Sequence, residues 1–180
     1  YYTVRASDRI GPDARVWAED IEADYLRLLQ RRLRAQPRAN VVLALGEPHD
    51  PRLPRDAVDV ALLIHMYHEI EQPFGLLYNL WPSLRHGARV AILDTTRPTN
   101  QHGTPPALLR CELAAMGYRQ VAFHDTAPDA GDRGRPDGAG ARRGAARGPR
   151  MRPAGARGLV TTSDRAARRA RRHTRTLTIG

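Results

Sequence analysis

Short runs of nearly uninterrupted apolar residues alternate along this chain with segments whose apolar residues recur at helical spacing. The clearest runs are Val58–Ile64 and residues 88–94. A strand that is apolar on both faces indicates a sheet covered on both sides, as in parallel sheets crossed by helices. The alternation therefore predicts an α/β fold with a doubly wound, mostly parallel sheet.

Weaker patterns extend this alternation to about residue 125. Further strands are expected at residues 15–19, 40–45 and 118–124. Helices are expected at 24–36, at 71–84, and from Thr104 to Gly117. Pro82 is expected to disturb the end of the second helix, and Gly87 to follow it.

The distribution of charge divides the chain near residue 126. Residues 1–126 contain 15 Arg and 15 acidic residues, whereas residues 127–180 contain 14 Arg and 4 Asp and carry the whole net charge of +10. Residues 127–180 also lack aromatic side chains, so they offer little apolar surface to offset the entropy of ordering. We therefore expect a partial domain over 1–126 and a disordered basic tail over 127–180.

Cysteine content and hydropathy exclude several classes of protein. Cys111 is the single cysteine, which excludes an internal disulfide and a multi-cysteine metal site, and its apolar surroundings predict a buried thiol. No stretch reaches the roughly 18 apolar residues of a membrane span. No signal-peptide pattern is present either. We expect no membrane partner, a cytoplasmic location and a true N-terminus upstream of Tyr1.

The residues that follow each strand are the candidates for a binding site, because ligands of open parallel sheets bind at the carboxyl ends of the strands. Asp20 ends the first strand, where a carboxylate can accept hydrogen bonds from both ribose hydroxyls of a nucleoside cofactor. Its alternative role is to complement the dipole of the next helix, which Glu22 and Asp24 would do better.

Four segments, in the correct order, resemble class I S-adenosylmethionine-dependent methyltransferases, whose domain is Rossmann-like. Tyr1-Tyr-Thr-Val-Arg-Ala resembles the segment after the family's glycine-rich loop, and Gly11-Pro-Asp-Ala-Arg-Val-Trp-Ala-Glu-Asp-Ile resembles its turn and second strand. Residues 45–54 and 58–63 resemble the loop and fourth strand, and residues 84–94 the fifth. His86-Gly87-Ala88 departs from the usual Leu-x-Pro-Gly-Gly there.

The resemblance implies S-adenosylmethionine as the cofactor and a small molecule as the methyl acceptor. Asp20 would bind the ribose and Ile21 would contact the adenine. Glu47 would face the adenine edge, although it could equally be a solvated loop acid. The other residues implied to form the cofactor site are Tyr1, Gly46 and His65.

His65 and His68 are the candidate catalytic residues, because they follow the strand that separates methyl donor from acceptor in this family. A histidine there could accept a proton, or could only shape the pocket or cap the next helix. A His-x-x-His pair could also suggest a metal, but no third ligand stands at recognisable spacing, so no metal is expected.

Both ends of the chain depart from the family pattern. The first strand and the glycine-rich loop should lie just before Tyr1, so we expect an open sheet centre and a fragment that binds the cofactor poorly or not at all. After residue 125 the family's antiparallel strand is replaced by the basic tail. Two alternatives remain, a nicotinamide-dependent oxidoreductase and a non-catalytic fragment with a nucleic-acid-binding tail. Without aromatic side chains for base stacking, a nucleic-acid partner is not expected.

Overall fold

The computed structural model describes residues 1–125, 156–162 and 176–179, the last two ranges as backbone strands. The α-helices in these ranges are α1 (Tyr2–Ile10), α2 (Ala23–Ala35), α3 (Pro73–Leu80) and α4 (Pro106–Ala115). The strands are β1 (Arg15–Asp20), β2 (Val41–Leu45), β3 (Val58–Ile64), β4 (Leu84–Thr95), β5 (Arg119–Asp125), β6 (Ala156–Thr162) and β7 (Thr176–Ile179). None of the described helices combines the length and the apolar composition that crossing a lipid bilayer requires.

The seven strands form one sheet in the order β2-β1-β7-β3-β4-β6-β5. The pairs from β2 to β4 are parallel, whereas β6 is antiparallel to both β4 and β5. The predicted α/β class with a doubly wound, mostly parallel sheet is confirmed. Because β1, β2, β3 and β4 run in one direction, their carboxyl ends meet at the same edge of the sheet.

The centre of the sheet differs from our expectation. We expected a gap between β1 and β3, but β7 lies there, with Leu177 paired to Val16 on one side and to Val60 on the other. An antiparallel strand, β6, is also present next to β4. Apart from these two strands, the tail that we predicted to be disordered lies outside the described residues.

The boundary between α3 and β4 corrects a sequence-based assignment. A helix was expected over 71–84 with Gly87 after it, but α3 ends at Leu80 and Trp81–Ser83 forms a 3₁₀ turn. Pro82 explains the early end, because it has no amide hydrogen and its ring clashes with the preceding turn. Gly87 instead lies inside β4, with a left-handed φ of 76°.

Helix α1 was not predicted from the sequence. It buries Thr3, Val4 and Ser7, which lie on one side of the helix. Ser7 Oγ donates to Asn40 Oδ1 at 2.6 Å, and Asn40 Nδ2 donates to the carbonyl of Gly11 at 2.8 Å. These two bonds join α1 and the turn after it to the start of β2.

The main hydrophobic core lies between the β3–β4 pair and helices α3 and α4. Its fully buried side chains include Val58, Leu77, Val90, Ile92 and Leu113.

Cys111 is exposed, contrary to the prediction of a buried thiol. The buried residues of α4 are Leu109 and Leu113. Residues four apart lie on the same side of a helix, whereas a residue halfway between them points away. The spacing of the two leucines therefore explains why Cys111 faces solvent.

Candidate functional site

A cavity of about 550 Å³ opens at the carboxyl ends of β1, β2 and β3. Its walls come from the loops after β1 and β2, from β3 itself, and from the segment between β3 and α3. Small-molecule pockets typically enclose roughly 300–1,000 Å³. The cavity therefore has the size and the position expected for the ligand site of an open parallel sheet.

Three of the residues that sequence analysis assigned to the cofactor, Asp20, Ile21 and Glu47, line this cavity. Asp20 is the last residue of β1, and its Oδ1 accepts a hydrogen bond from the backbone N–H of Glu22 at 2.9 Å. This bond holds the carboxylate at the strand tip. Ile21 is exposed beside it, so the cavity offers a charged and an apolar surface side by side.

Gly46, a fourth predicted residue, lies where there is little room for a side chain. Its N–H donates to the carbonyl of Asp20 at 3.1 Å. A methyl group on its α-carbon would overlap Glu19 Oε1. Gly46 therefore allows the end of β2 to pass close to the Glu19 side chain at the end of β1.

Glu19 is a perturbed acid that sequence analysis missed. Burial, followed by the charges of Asp20 and Asp50, raises the pKa of its carboxyl from 4.5 to about 7. Its Oε1 is buried and has no hydrogen-bond partner within the described part of the chain. A buried carboxylate without a partner is unfavourable, so Glu19 holds a proton below neutral pH. The sequence shows only two adjacent acids, Glu19 and Asp20, at a strand end, and nothing in it indicates that one of them is buried with a raised pKa.

The lining of the cavity is acidic. It includes six carboxyl side chains and no basic side chain among the described residues that form it. The six are Glu19, Asp20, Glu22, Glu47, Glu69 and Glu71. Glu47 is also paired with Arg52 outside the lining. This charge distribution favours a cationic ligand, or a neutral ligand rich in hydrogen-bond donors, over an anion.

Tyr1 and His65 lie apart from the residues that line the cavity. Tyr1 packs edge-on against Tyr2, and the guanidinium of Arg5 lies 4.4 Å from the centre of its ring. His65 follows β3 with a left-handed φ of 55°, and its N–H donates to the carbonyl of Leu93 at 2.7 Å. Both therefore have contacts within the fold, and neither stands beside Asp20.

His68 belongs to a second cluster, at the carboxyl ends of β3 and β4. Its Nδ1 lies 2.9 Å and 3.0 Å from the two carboxylate oxygens of Asp94. Asp94 is only 4% exposed, and it also accepts hydrogen bonds from Thr95 N at 2.8 Å and Thr104 Oγ1 at 2.7 Å. A carboxylate only accepts hydrogen bonds, so Nδ1 carries the proton and the neutral ring has a lone pair on Nε2.

The lone pair of His68 lies beside the cavity wall. Its Nε2 is 3.8 Å from Glu69 Oε1, and Glu69 is one of the lining residues. Tyr67, the preceding residue, is different. Its hydroxyl donates to Glu112 at 2.9 Å, and burial raises the pKa of Tyr67 far above its ordinary value. Tyr67 is therefore a structural residue, whereas His68 can exchange a proton.

No model of a known protein family matches this chain, and no curated protein sequence matches it. Solved structures do. A SAM-dependent methyltransferase from Aquifex aeolicus is similar over 90% of this chain and 76% of its own, with a TM-score of 0.69 and 16% identity. A second SAM-dependent methyltransferase, from Methanosarcina mazei, is similar over 89% of this chain and 86% of its own, with a TM-score of 0.61 and 8% identity. A putative type 11 methyltransferase from Sulfolobus solfataricus is similar over 88% of this chain and 76% of its own, with a TM-score of 0.55 and 13% identity.

The chain has the fold of class I SAM-dependent methyltransferases. In this methyltransferase fold, β1 to β4 take the positions of the second to fifth strands, in the order that the sequence resemblance implied. β7 lies beside β1 and β3, which is the position of the family's first strand. Asp20 is the last residue of β1, at the carboxyl edge of the sheet.

Proposed function

We propose that this protein transfers the methyl group of S-adenosylmethionine to a small-molecule nucleophile. The observation that supports this most directly is the acidic cavity at the strand tips of a methyltransferase fold. S-adenosylmethionine carries a cationic sulfonium and no phosphate. Six carboxyl side chains with no basic residue in the described lining suit such a ligand.

The same lining argues against a nicotinamide cofactor. A dinucleotide carries two phosphates, which proteins bind through backbone N–H groups at a glycine-rich turn, often aided by arginine or lysine. The described lining residues include neither arginine nor lysine. Asp20 does not distinguish the two cofactors, because an acid at this strand end also binds the ribose of a nicotinamide dinucleotide. The oxidoreductase alternative therefore has no support from the chemistry of the cavity.

We assign three residues to the cofactor. Asp20, held by the N–H of Glu22, would accept hydrogen bonds from the ribose hydroxyls. Ile21 would pack against the adenine ring, and Glu47 would accept from the adenine edge. Because Glu47 is already bound to Arg52, its contribution to affinity is expected to be smaller than that of Asp20.

His68 is assigned the proton transfer. The bound cofactor supplies an electrophilic methyl group, and an acceptor hydroxyl or amine must lose a proton when it is methylated. Nε2 of His68 would take that proton next to Glu69. Asp94 would hold the ring and stabilise the imidazolium that forms, as buried carboxylates do for catalytic histidines. Orientation of donor and acceptor would supply the rest of the rate enhancement.

The proposal is tested by titrating three proteins with S-adenosylmethionine. They are the full wild-type chain and its variants Asp20→Asn and Asp24→Asn. Asp24 is an exposed acid that pairs with Arg27 on the surface of α2, so it serves as the matched control. Because β7 fills the centre of the sheet, we propose measurable binding, in contrast to the expectation from sequence. Asp20→Asn should weaken it at least tenfold, and Asp24→Asn should leave it unchanged.

Equal affinities of the wild type and Asp20→Asn would refute the ribose assignment. If the wild type shows no saturable binding by calorimetry or ligand-observed NMR, the proposed methyl transfer by this chain fails. If the wild type does bind the cofactor, a screen of hydroxyl- and amine-bearing acceptors with methyl-labelled cofactor would identify the acceptor class. His68→Gln is the inactive comparison in this screen.

A further inference from the structure

Three potential metal ligands converge beside the cavity. They are His68, Glu69 and His102, and their ligand atoms all lie within 4.8 Å of one another. His68 and Glu69 come from the turn after β3, and His102 comes from the loop after β4. The sequence showed only His65 and His68 as a possible pair, because His102 joins His68 and Glu69 only through the fold.

We propose that His68, Glu69 and His102 bind a divalent transition-metal ion of the zinc class. Two imidazoles and one carboxylate form a ligand set used by catalytic zinc sites, which leave a fourth position to water or substrate. Imidazole ligands also favour zinc and its neighbours in the first transition row over magnesium or calcium. Since Glu69 also lines the cavity, that fourth position would lie next to the bound acceptor.

Asp94 gives His68 the orientation that a metal ligand needs. Histidines that bind a metal through one nitrogen usually donate the other N–H to a carboxylate, which fixes the tautomer and raises the basicity of the ring. His68 donates Nδ1–H to Asp94 and presents Nε2 to Glu69 and His102. Its side chain is 7% exposed, so this direction is set by packing before any ion arrives.

His102 caps the 3₁₀ turn Thr99–Gln101 in the loop after β4, with a left-handed φ of 54°. Its N–H donates to the carbonyl of Thr99, so the turn itself holds this conformation. Its carbonyl accepts a hydrogen bond from Thr95 Oγ1 at 2.5 Å, which fixes the loop to the end of β4. The ring stands edge-on to His68 with 5.7 Å between the ring centres.

The remaining gap is small enough for side-chain rotation to close. Ligands of one zinc ion lie at most about 4 Å apart, because each bond is near 2 Å long. Nε2 of His68 is already 3.8 Å from Glu69 Oε1, and the Glu69 side chain is 69% exposed and free to rotate. His102 is exposed as well. The buried histidine would therefore anchor the ion, and the two exposed side chains would close on it.

This inference is independent of the proposed methyl transfer, because its ligands and its readout need no cofactor. The two do share one atom, the Nε2 of His68. A bound ion would take the lone pair that accepts a proton in the proposed reaction, so ion binding and proton uptake at His68 exclude each other.

The test uses the full chain after chelator treatment and removal of the chelator, titrated with Co²⁺ by visible absorption and with Zn²⁺ by calorimetry. The variants are Glu69→Gln and His102→Ala, and His86→Ala is the control, since His86 is an exposed histidine near the opposite end of β4. We expect a site that gives the d–d absorption of tetrahedral Co²⁺ in the wild type and in His86→Ala. Each ligand variant should bind Zn²⁺ at least tenfold more weakly.

The inference is overturned if the wild type shows no such absorption or if Zn²⁺ affinity is the same in the wild type, Glu69→Gln and His102→Ala. Far-UV circular dichroism of each variant checks that a lost site does not reflect lost folding. His102→Ala should retain the binding of S-adenosylmethionine shown by the wild type. Failure of the metal site and failure of the proposed cofactor site are therefore read from separate titrations.

Discussion

The strand tips of the sheet surround their carboxyl groups in two opposite ways, one at the end formed by β1 and β2 and the other at the end formed by β3 and β4. At the tips of β1 and β2, Glu19 is buried next to Asp20, and its Oε1 has no partner in the described residues. At the tips of β3 and β4, Asp94 is more deeply buried but accepts hydrogen bonds from His68, Thr95 and Thr104. One end therefore holds a carboxyl group that its own fold leaves without a hydrogen-bond partner, whereas at the other end three residues donate to the carboxylate.

This difference separates a ligand site from a support structure. A buried carboxyl group that the fold leaves without a partner destabilises the empty protein, and a ligand that forms a hydrogen bond with it relieves this cost. A satisfied carboxylate instead stabilises the fold and orients its partner. We assign cofactor binding to the first end and control of the His68 ring to the second.

The largest effect is expected from Asp94→Ala. It leaves buried donors on His68, Thr95 and Thr104 unpaired, and we expect a loss of about 3–5 kcal/mol in the free energy of unfolding. Urea denaturation measures it. The control is Asp24→Ala, which removes an exposed partner of Arg27 and should cost less than about 1 kcal/mol. Similar losses in the two variants would contradict the contrast between the two ends.

Glu19 should lower the free energy of unfolding when it ionises, which is opposite to the stabilising effect of Asp94. Its folded-state pKa of about 7 lies above the ordinary 4.5, so the folded chain keeps a proton that the unfolded chain releases between these values. Stability should therefore fall as pH rises from about 4.5 to 7 and remain lower above that range. The linkage allows at most about 3 kcal/mol, since one unit of pKa shift corresponds to about 1.4 kcal/mol.

The measurement is the free energy of unfolding of the wild type minus that of Glu19→Gln across this pH range. Taking the difference removes the contribution of the other carboxylates. Glu22→Gln, an exposed neighbour in the same lining, should show no such trend. A flat difference for Glu19→Gln would contradict the raised pKa of Glu19.

The smallest effect is expected from Gly46→Ala. The added methyl group would overlap Glu19 Oε1, and overpacking of this kind costs roughly 1–3 kcal/mol. Because the nearest obstacle is the far end of a flexible side chain, the cost should be about 1–2 kcal/mol. It should become smaller when Glu19 is also changed to Ala, which leaves only the close approach to the Asp50 carbonyl. A double-mutant cycle measures this coupling. Additive losses would show that Glu19 is not what restricts position 46.

The sequence predicted the parts of the fold that depend on local pattern. The apolar runs at Val58–Ile64 and residues 88–94 are strands, and Asp20 lies at a cavity at their carboxyl ends, because periodicity and parallel topology fix both. β7 was missed because Thr176–Ile179 is short and stands in an arginine-rich context. Its alternating threonines and apolar residues are nevertheless a strand signal.

The second cluster was only half visible in the sequence, for a different reason. His68 and Asp94 each follow a buried strand, so both could be singled out as strand-end residues. Their hydrogen bond and the approach of His102 depend on how two loops pack against each other. Periodicity gives no information about such loop packing, although the Pro98-Thr-Asn-Gln-His-Gly103 segment does contain the turn that His102 caps.

The position of β7 also has a consequence for how the chain reaches its folded state. β1 and β3 can form their local contacts early, but the strand between them follows β3 by more than 100 residues along the chain. Until it arrives, two adjacent strand edges remain unpaired, and unpaired edges are where chains associate with one another. Pairing between residues so far apart in sequence is also slow to form. Aggregation during synthesis, more than thermal unfolding afterwards, is therefore the step at which this fold is most vulnerable.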